Sequence, residues 1–172
     1  LRMSPMRMLD SRNHAVLALE GVQLGAGALL GAAGAGFDVL DAALDRGRVC
    51  LAAELLGASQ ALLDMTVEYL KTRVQFDVPI GSFQALQHRA AWCHAHQELA
   101  RSAVMAGLAA LDDPALDGAA RARLASLAKW KAGDAAHRIS REAVQMHGGM
   151  GVTDELDVGL FLKRIRVAQA CL

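Results

Sequence analysis

Leu51, Leu55, Ala58, Leu62, Met65 and Tyr69 recur at alternating spacings of four and three. This is the apolar seam of one long helix of about 35 residues. It begins near Phe37 and must end before Asp77 and Pro79, because proline cannot continue the helical hydrogen-bond ladder and the residue before it avoids the helical region. A turn is expected over residues 76–82. Ser82 can then cap a second helix whose inward positions are Leu86, Ala90, Cys93, Gln97, Ala100, Val104, Leu108 and Leu111. Asp112-Asp113-Pro114 closes it. A third helix from Asp117 places Leu124, Ala128, Ala132, Ala135, Ile139, Ala143 and Met146 on one face, and so many alanines permit close interaxial distances. Thr153 or Asp154 can cap a fourth, carrying Val158, Phe161, Ile165 and Leu172, with Lys163, Arg164 and Arg166 grouped in its later half, where cations suit the helix dipole.

The fold expected is mainly α: an antiparallel up-and-down four-helix bundle over residues 37–172, preceded by a short β remnant over 1–36. Within the remnant, Val16 to Leu19 and Gly21 to Leu24 read as two short strands, and the Gly and Ala crowd from Gly25 to Gly36 as a loop. That loop does not hold a dinucleotide. Counting from Gly25 or from Gly34, the sixth position of a G-x-G-x-x-G pattern is Leu30 or Val39, and no second strand follows to bring an acid to a ribose.

Composition narrows the function. Eighteen basic residues balance eighteen acidic ones and aromatics are only 4%, so neither an electrostatic grip on nucleic acid nor base-stacking platforms are expected. Cys50, Cys93 and Cys171 lack C-x-x-C pairing and suit a reducing compartment, read here as cytoplasmic. The uncharged run from Gly21 to Phe37 is too short and irregular to span a bilayer, and no secretion signal is read at the start. The opening at Leu1, without an initiator Met, suggests a piece of a longer chain. The histidines have no ligand spacing: His94 and His96 are two apart and diverge on a helix.

Two stretches carry candidate binding chemistry. At the end of the first long helix, Arg73 can bond a pyrophosphate bidentately, Gln75 and Gln84 can donate amide hydrogens to phosphate or adenine, and Phe76 and Phe83 can shield a ring system. After the third helix, Gln145 and the backbone of Gly148 and Gly149, in the run Gln145-Met146-His147-Gly148-Gly149-Met150-Gly151, could complete such a cradle. None of these groups does redox chemistry, so the set reads as cofactor anchoring. The ordinary readings are a cation on a helix carbonyl end for Arg73 and a helix cap for the glycines.

Together, Arg73-x-Gln75-Phe76, Gln145-x-x-Gly148-Gly149 and Gly151-Val152-Thr153-Asp154-Glu155 resemble the C-terminal helical domain of the flavin-dependent acyl-CoA dehydrogenases. Residues 1–36 look like the tail of that family's middle β-domain, with Val16-Leu17-Ala18-Leu19-Glu20-Gly21-Val22 as strand and turn, and Asp45-x-x-Arg48 matches the first long helix. The resemblance implies FAD as cofactor, its ADP half anchored by Arg73, Gln75, Phe76, Phe83, Gln84, Gln145, Gly148 and Gly149 while a neighbouring subunit holds most of the flavin. It implies an acyl-CoA substrate, with Asp45 and Arg48 on the substrate side. It further implies a dimer or tetramer and an electron-transfer flavoprotein as electron acceptor.

In that family a glutamate takes the α-proton of the thioester. Here its usual position, counted from the glycine corner, is Leu172, and the alternative position, before the arginine of the first helix, is Gly47. Neither accepts a proton. Glu54 and Glu68 are carboxylates on the same helix but read as solvated or salt-bridged. No catalytic residue is therefore assigned, and this chain alone is expected to be inactive. The rival expectation is a catalytically silent assembly subunit that holds no flavin.

Overall fold

The computed structural model describes all 172 residues. Four helices make up most of it: α1 (Gly36–Thr72), α2 (Gln84–Asp112), α3 (Gly118–His147) and α4 (Val158–Ala170). Strands β1 (Arg2–Arg7) and β2 (Asn13–Ala18) form an antiparallel hairpin with Met3 opposite Leu17 and Met6 opposite His14. A second, tiny hairpin, β3 (Val74–Gln75) with β4 (Val78–Pro79), fills the corner between α1 and α2.

Residue pairs across the helices set their directions. At the first corner Gly81 lies so close to α1 that a Cβ there would sit 2.7 Å from the Leu70 carbonyl oxygen. Further along, Gln97 meets Ser59 and Arg101 meets Gln60, so α2 runs back along α1. Arg89 pairs with Glu142 and Gly107 abuts Ala128, so α3 runs back along α2. Lys129 reaches the Gln169 carbonyl, and α4 is antiparallel to α3 and, through Glu54 and Arg164, to α1. Helices α1 and α3 are therefore parallel, and their contact is the most extensive in the molecule. Ala125, Ala128, Ala132, Ala136 and Ala143 are all buried on α3, and side chains this small let the two backbones approach closely. Helices α2 and α4 pack onto this pair and make no substantial contact with each other.

The core runs through Ala52, Leu55 and Leu62 of α1, Val104 of α2, the α3 alanines, and Val158 and Ile165 of α4. Each fully buried Leu or Ile contributes roughly 1.5–3 kcal/mol of transfer free energy. On α3 the buried face matches the expected one from Ala128 to Met146. On α1 it does not. The buried line passes through Asp45, Val49, Ala52, Leu55, Ser59, Leu62, Thr66 and Leu70, while Leu51, Ala58, Met65 and Tyr69 are only partly covered. The polar members of that line cost little because each has an acceptor in reach: Ser59 Oγ lies 2.8 Å from both Gln97 Oε1 and the Leu55 carbonyl, and Thr66 Oγ1 donates to the Leu62 carbonyl at 2.7 Å.

Other local expectations are also corrected. Ser82 does not cap α2; its hydroxyl donates to the Pro79 carbonyl, and Phe83 is the cap residue. Thr153 bonds back to the Met150 carbonyl, and α4 begins after Asp157. Asp117 does cap α3, accepting the Ala120 amide at 2.7 Å. Leu108 drifts outward in the last turns of α2, where Gly107 and Ala110 are buried instead, and Leu172 is 56% exposed. Of the expected strands, β2 includes Val16 and Leu17, Gly21 to Leu24 lie outside any strand, and β1 arises instead from residues 2–7.

By length and composition α1 could cross a membrane; in this structure its buried line packs against α3. The first hairpin is tied to the bundle by charge. Arg164 of α4 donates to both oxygens of Glu54, at 2.6 and 2.8 Å, and to Asp10 in the hairpin loop at 2.8 Å, while Arg12 approaches Glu54 at 3.5 Å.

Candidate functional site

Because α1 and α3 are parallel, both candidate stretches emerge at the same end of the bundle. Tyr69, one turn before Arg73, stacks on His147 with ring centroids 4.4 Å apart, and its hydroxyl reaches the His147 carbonyl at 3.5 Å. His147 is itself buried, its Nδ1–H donating to the Ala143 carbonyl at 2.8 Å. This aromatic pair fixes the two helix ends to each other. Sequence reasoning missed it, since His147 was one scattered histidine and Tyr69 one member of a seam.

At Arg73 the helix stops. Its own N–H still bonds the Tyr69 carbonyl, but its ψ of 122° leads into β3, and its carbonyl accepts the Ile80 amide at 2.8 Å. Between β3 and β4 the two-residue turn Phe76-Asp77 has φ of 57° and 63°. Two central residues with positive φ make a type I′ turn, which normally calls for Asn-Gly and which a bulky Phe adopts at a cost. The outcome is a phenyl ring 83% exposed, touching only the edge of Phe83 at a centroid distance of 6.0 Å.

Across from it α3 ends at Gly148, whose φ of 59° suits only glycine without strain. Gly149 faces open space, with nothing within 4 Å of where a Cβ would stand. Gly151 is the opposite case: a Cβ would meet the Val144 carbonyl oxygen at 2.7 Å, so the corner folds tightly over the last turn of α3. Arg73, Gln75, Gln84 and Gln145 are all exposed, and their side chains make no hydrogen bond or ion pair within the chain. The guanidinium and side-chain amides at this end are thus unspent donors of the kind a pyrophosphate accepts from, while the Gly148 N–H is already bonded to the Gln145 carbonyl.

The other candidate pair is remote from this end. Arg48 donates to Asp45 at 2.6 Å, with Asp41 at 3.8 Å, and Asp45 is only 7% exposed. Along α1, Arg48 and Arg73 are separated by about 37 Å at 1.5 Å per residue. Arg48 lines a cleft with Lys129 and Trp130 of α3 and with Gln169 and Leu172. Two positions that sequence keeps far apart meet beside it: a Cβ on Gly47 would come within 2.9 Å of Leu172 Cδ1. The positions where a carboxylate base was sought are thus one place in the fold, and both residues there are apolar.

Glu54 is held below the usual carboxylate range first by the Arg164 hydrogen bonds, with burial opposing and the Arg164 and Arg12 charges assisting. Such a carboxylate is a poor proton acceptor near neutrality. For Asp10, burial opposes ionisation, but the Arg164 bond, the Arg12 amide and the Arg164 charge outweigh it and lower its pKa. Glu68 is exposed and 4.0 Å from Lys71.

Parallel central helices, two further helices packed on them and a hairpin clasped to the side by charge define a four-helix bundle domain. Residues 34–171 match the acyl-CoA dehydrogenase C-terminal domain, and the chain belongs to the acyl-CoA dehydrogenase family. It is 42% identical over 120 residues to the acyl-CoA dehydrogenase IpdE2 of Mycolicibacterium smegmatis, covering 70% of this chain and 36% of that protein. The butyryl-CoA dehydrogenase structure from Megasphaera elsdenii superposes with a TM-score of 0.88 at 30% identity, covering 96% of this chain and 43% of that one. The ChsE4-ChsE5 complex from Mycobacterium tuberculosis gives a TM-score of 0.83 at 26% identity, covering 98% of this chain and 44% of that one. The chain therefore spans less than half the length of these relatives.

Proposed function

We propose that this chain supplies the edge of a flavin-dependent acyl-CoA dehydrogenase that anchors the ADP half of FAD and joins subunits into a homo- or hetero-oligomer. One observation supports the proposal: the ends of α1 and α3 are fixed together by Tyr69 and His147, so Arg73 and the Gly148–Gly149 backbone follow from the same end of the bundle. Arg73 would take the pyrophosphate, Gln75, Gln84 and Gln145 its oxygens or the adenine, and Phe76 and Phe83 the flank of the ring. When bound, FAD supplies the hydride acceptor for α,β-dehydrogenation of an acyl-CoA thioester, and an electron-transfer flavoprotein is the electron acceptor proposed. Asp45 and Arg48 would face the substrate. Their separation from Arg73 along α1 supports assigning the ADP anchor of one subunit to the flavin of its neighbour. Residues 1–36 are read as the tail of a β-domain, and the unpaired cysteines are compatible with the cytoplasm.

The contact of Gly47 with Leu172 favours a second reading in one respect, since it leaves no carboxylate where the family resemblance seeks one. In that reading the chain is a catalytically silent assembly subunit of a heteromeric complex and holds no flavin. The longest natural form of the protein, purified and examined for visible flavin absorbance, separates the two, because the second reading requires a colourless protein. Replacing Arg73 with alanine should weaken flavin retention by about 1.5–3 kcal/mol, the scale of a charged hydrogen bond, with helix content by circular dichroism unchanged. Equal flavin occupancy in variant and parent would refute the anchor.

A further inference from the structure

The cleft beside the Gly47–Leu172 contact encloses about 360 Å³ between α1, α3 and the last residues of the chain, and two cations share it, Arg48 from α1 and Lys129 from α3. Arg48 bonds Asp45 through Nη1, which leaves Nε and Nη2 without a partner in the chain. Lys129 is the unusual one. Its Nζ donates to the Gln169 carbonyl at 3.1 Å, spanning from α3 to the last turn of α4, and this is its only bond in the chain. Three donors on an ammonium meet one acceptor there, so the charged form is poorly satisfied. Burial lowers the Lys129 pKa, with the Cys171 charge opposing and the Arg48 charge assisting. A lysine whose neutral form is favoured in this way has the character of a nucleophile.

The chain has three other lysines, and none shares this setting. Lys71 is 67% exposed and 4.0 Å from Glu68, Lys131 lies 4.6 Å from the Trp130 ring centroid, and Lys163 stands on α4 outside the cleft. An electrophile suited to the cleft has a carbonyl carbon open to attack, an apolar tail and anionic groups. Trp130 and Leu172, both exposed, offer apolar surface at the rim, and the free nitrogens of Arg48 offer donors to phosphate or carbonyl oxygen. An acyl-CoA thioester has all three features.

We propose that Lys129 is a site of covalent acylation by acyl-CoA thioesters that enter this cleft. The inference rests on the acyl-CoA part of the reading above and is independent of whether flavin is held. The neutral amine attacks the thioester carbonyl carbon; the C–N bond forms, the C–S bond breaks, CoA leaves as the thiolate, and the proton shed by nitrogen passes to it through water. The product is a neutral amide with one N–H in place of an ammonium with three. The cleft thereby loses one of its two cations, and the added acyl group parts Lys129 from the Gln169 carbonyl. Acylation therefore loosens the end of α4 and weakens the hold on the next anionic thioester.

The test is incubation of the full chain with butyryl-CoA at mildly alkaline pH, then neutral hydroxylamine to strip thioesters from the cysteines, then peptide mass mapping. Occupancy at Lys129 should exceed that at Lys71, Lys131 or Lys163 by roughly tenfold, and the preference should vanish in urea, where the four lysines share one environment. Lys129→Arg keeps a donor for the Gln169 carbonyl and should remove the dominant label while the circular dichroism stays that of the parent. S-Butyryl-N-acetylcysteamine presents the same thioester without the nucleotide, and so separates the lysine from the carrier. Equal labelling of the four lysines by both donors, or a Lys129 preference that survives urea, overturns the assignment of Lys129. Selective labelling by the small thioester with none by butyryl-CoA leaves Lys129 the reactive lysine but overturns the access of CoA thioesters to the cleft, and with it the reading on which the proposal rests.

Discussion

Replacing Phe76-Asp77 with Asn-Gly should make the protein more stable and, at the same time, poorer at retaining flavin. The stability side follows from the backbone. A left-handed conformation costs a non-glycine residue about 1–2 kcal/mol, near 2 for Phe and near 1 for Asp or Asn, so exchanging Phe76-Asp77 for Asn-Gly releases roughly 2 kcal/mol. Against this, the Phe76 ring contributes little. It is 83% exposed and meets only the edge of Phe83, a contact of about 0.5 kcal/mol at so open a site. Glycine adds about 0.5–1 kcal/mol of unfolded-chain entropy to be lost. The net gain is about 1 kcal/mol. With a urea m-value of about 2 kcal/mol/M, that raises the unfolding midpoint by about 0.5 M with no change of slope. A lower midpoint would refute the claim that this turn is strained. A higher midpoint with undiminished flavin retention would show that the strain does not serve to present Phe76.

Ser59 and Gln97 yield an asymmetric prediction. Gln97 Oε1 accepts from Ser59 and its Nε2 donates to the Leu56 carbonyl at 2.9 Å, both side chains being fully buried. Ser59→Ala strands that oxygen and should cost about 1–3 kcal/mol, whereas Gln97→Leu strands nothing, because Ser59 turns to the Leu55 carbonyl, and should cost about 1 kcal/mol. The double variant should be close to Gln97→Leu alone in urea unfolding; a simple sum of the two costs would contradict the network. For the hairpin clasp, the carboxyls of Asp10 and Glu54 are both lowered from ordinary values of 3.8 and 4.5, so their contribution is complete above those values and is lost as pH falls through the depressed ones. Amide NMR signals of β1 and β2 should therefore hold steady down to about pH 4.5 and shift below it, and Arg164→Ala should abolish that step. Burial pushes the Cys93 thiol up to about 11, with Glu142 adding to the effect, so iodoacetamide at neutral pH should label exposed Cys50 and spare Cys93 in the folded protein.

What the sequence made legible follows the chemistry of each element. On α3 the buried face is built from Ala, Ile and Met, so hydrophobic periodicity finds it. On α1 the same method rotates the helix, because Ser59 and Thr66 are buried through bonds to their own helix and do not register as core. The β1 strand escaped because Arg2 to Arg7 is wholly exposed and includes a proline, leaving no alternation to read. The candidate anchor residues were legible one by one. Their placement at a single end follows from the expected up-and-down order, which makes α1 and α3 parallel, while the meeting of Tyr69 with His147 that fixes those ends is not written in local spacing. The meeting of Gly47 with Leu172 is likewise a tertiary event that no motif announces.

The 37-residue α1 also acts as a ruler. It carries Arg48 and sets Arg73 at its C-cap, so the reach from one to the other is set by how many residues intervene and hardly at all by which. Deleting a single residue from its middle would swing one end by about 100° relative to the other and shorten the span by about 1.5 Å. Substitutions on its outer surface should be well tolerated there, while a change in its length should uncouple the two ends completely.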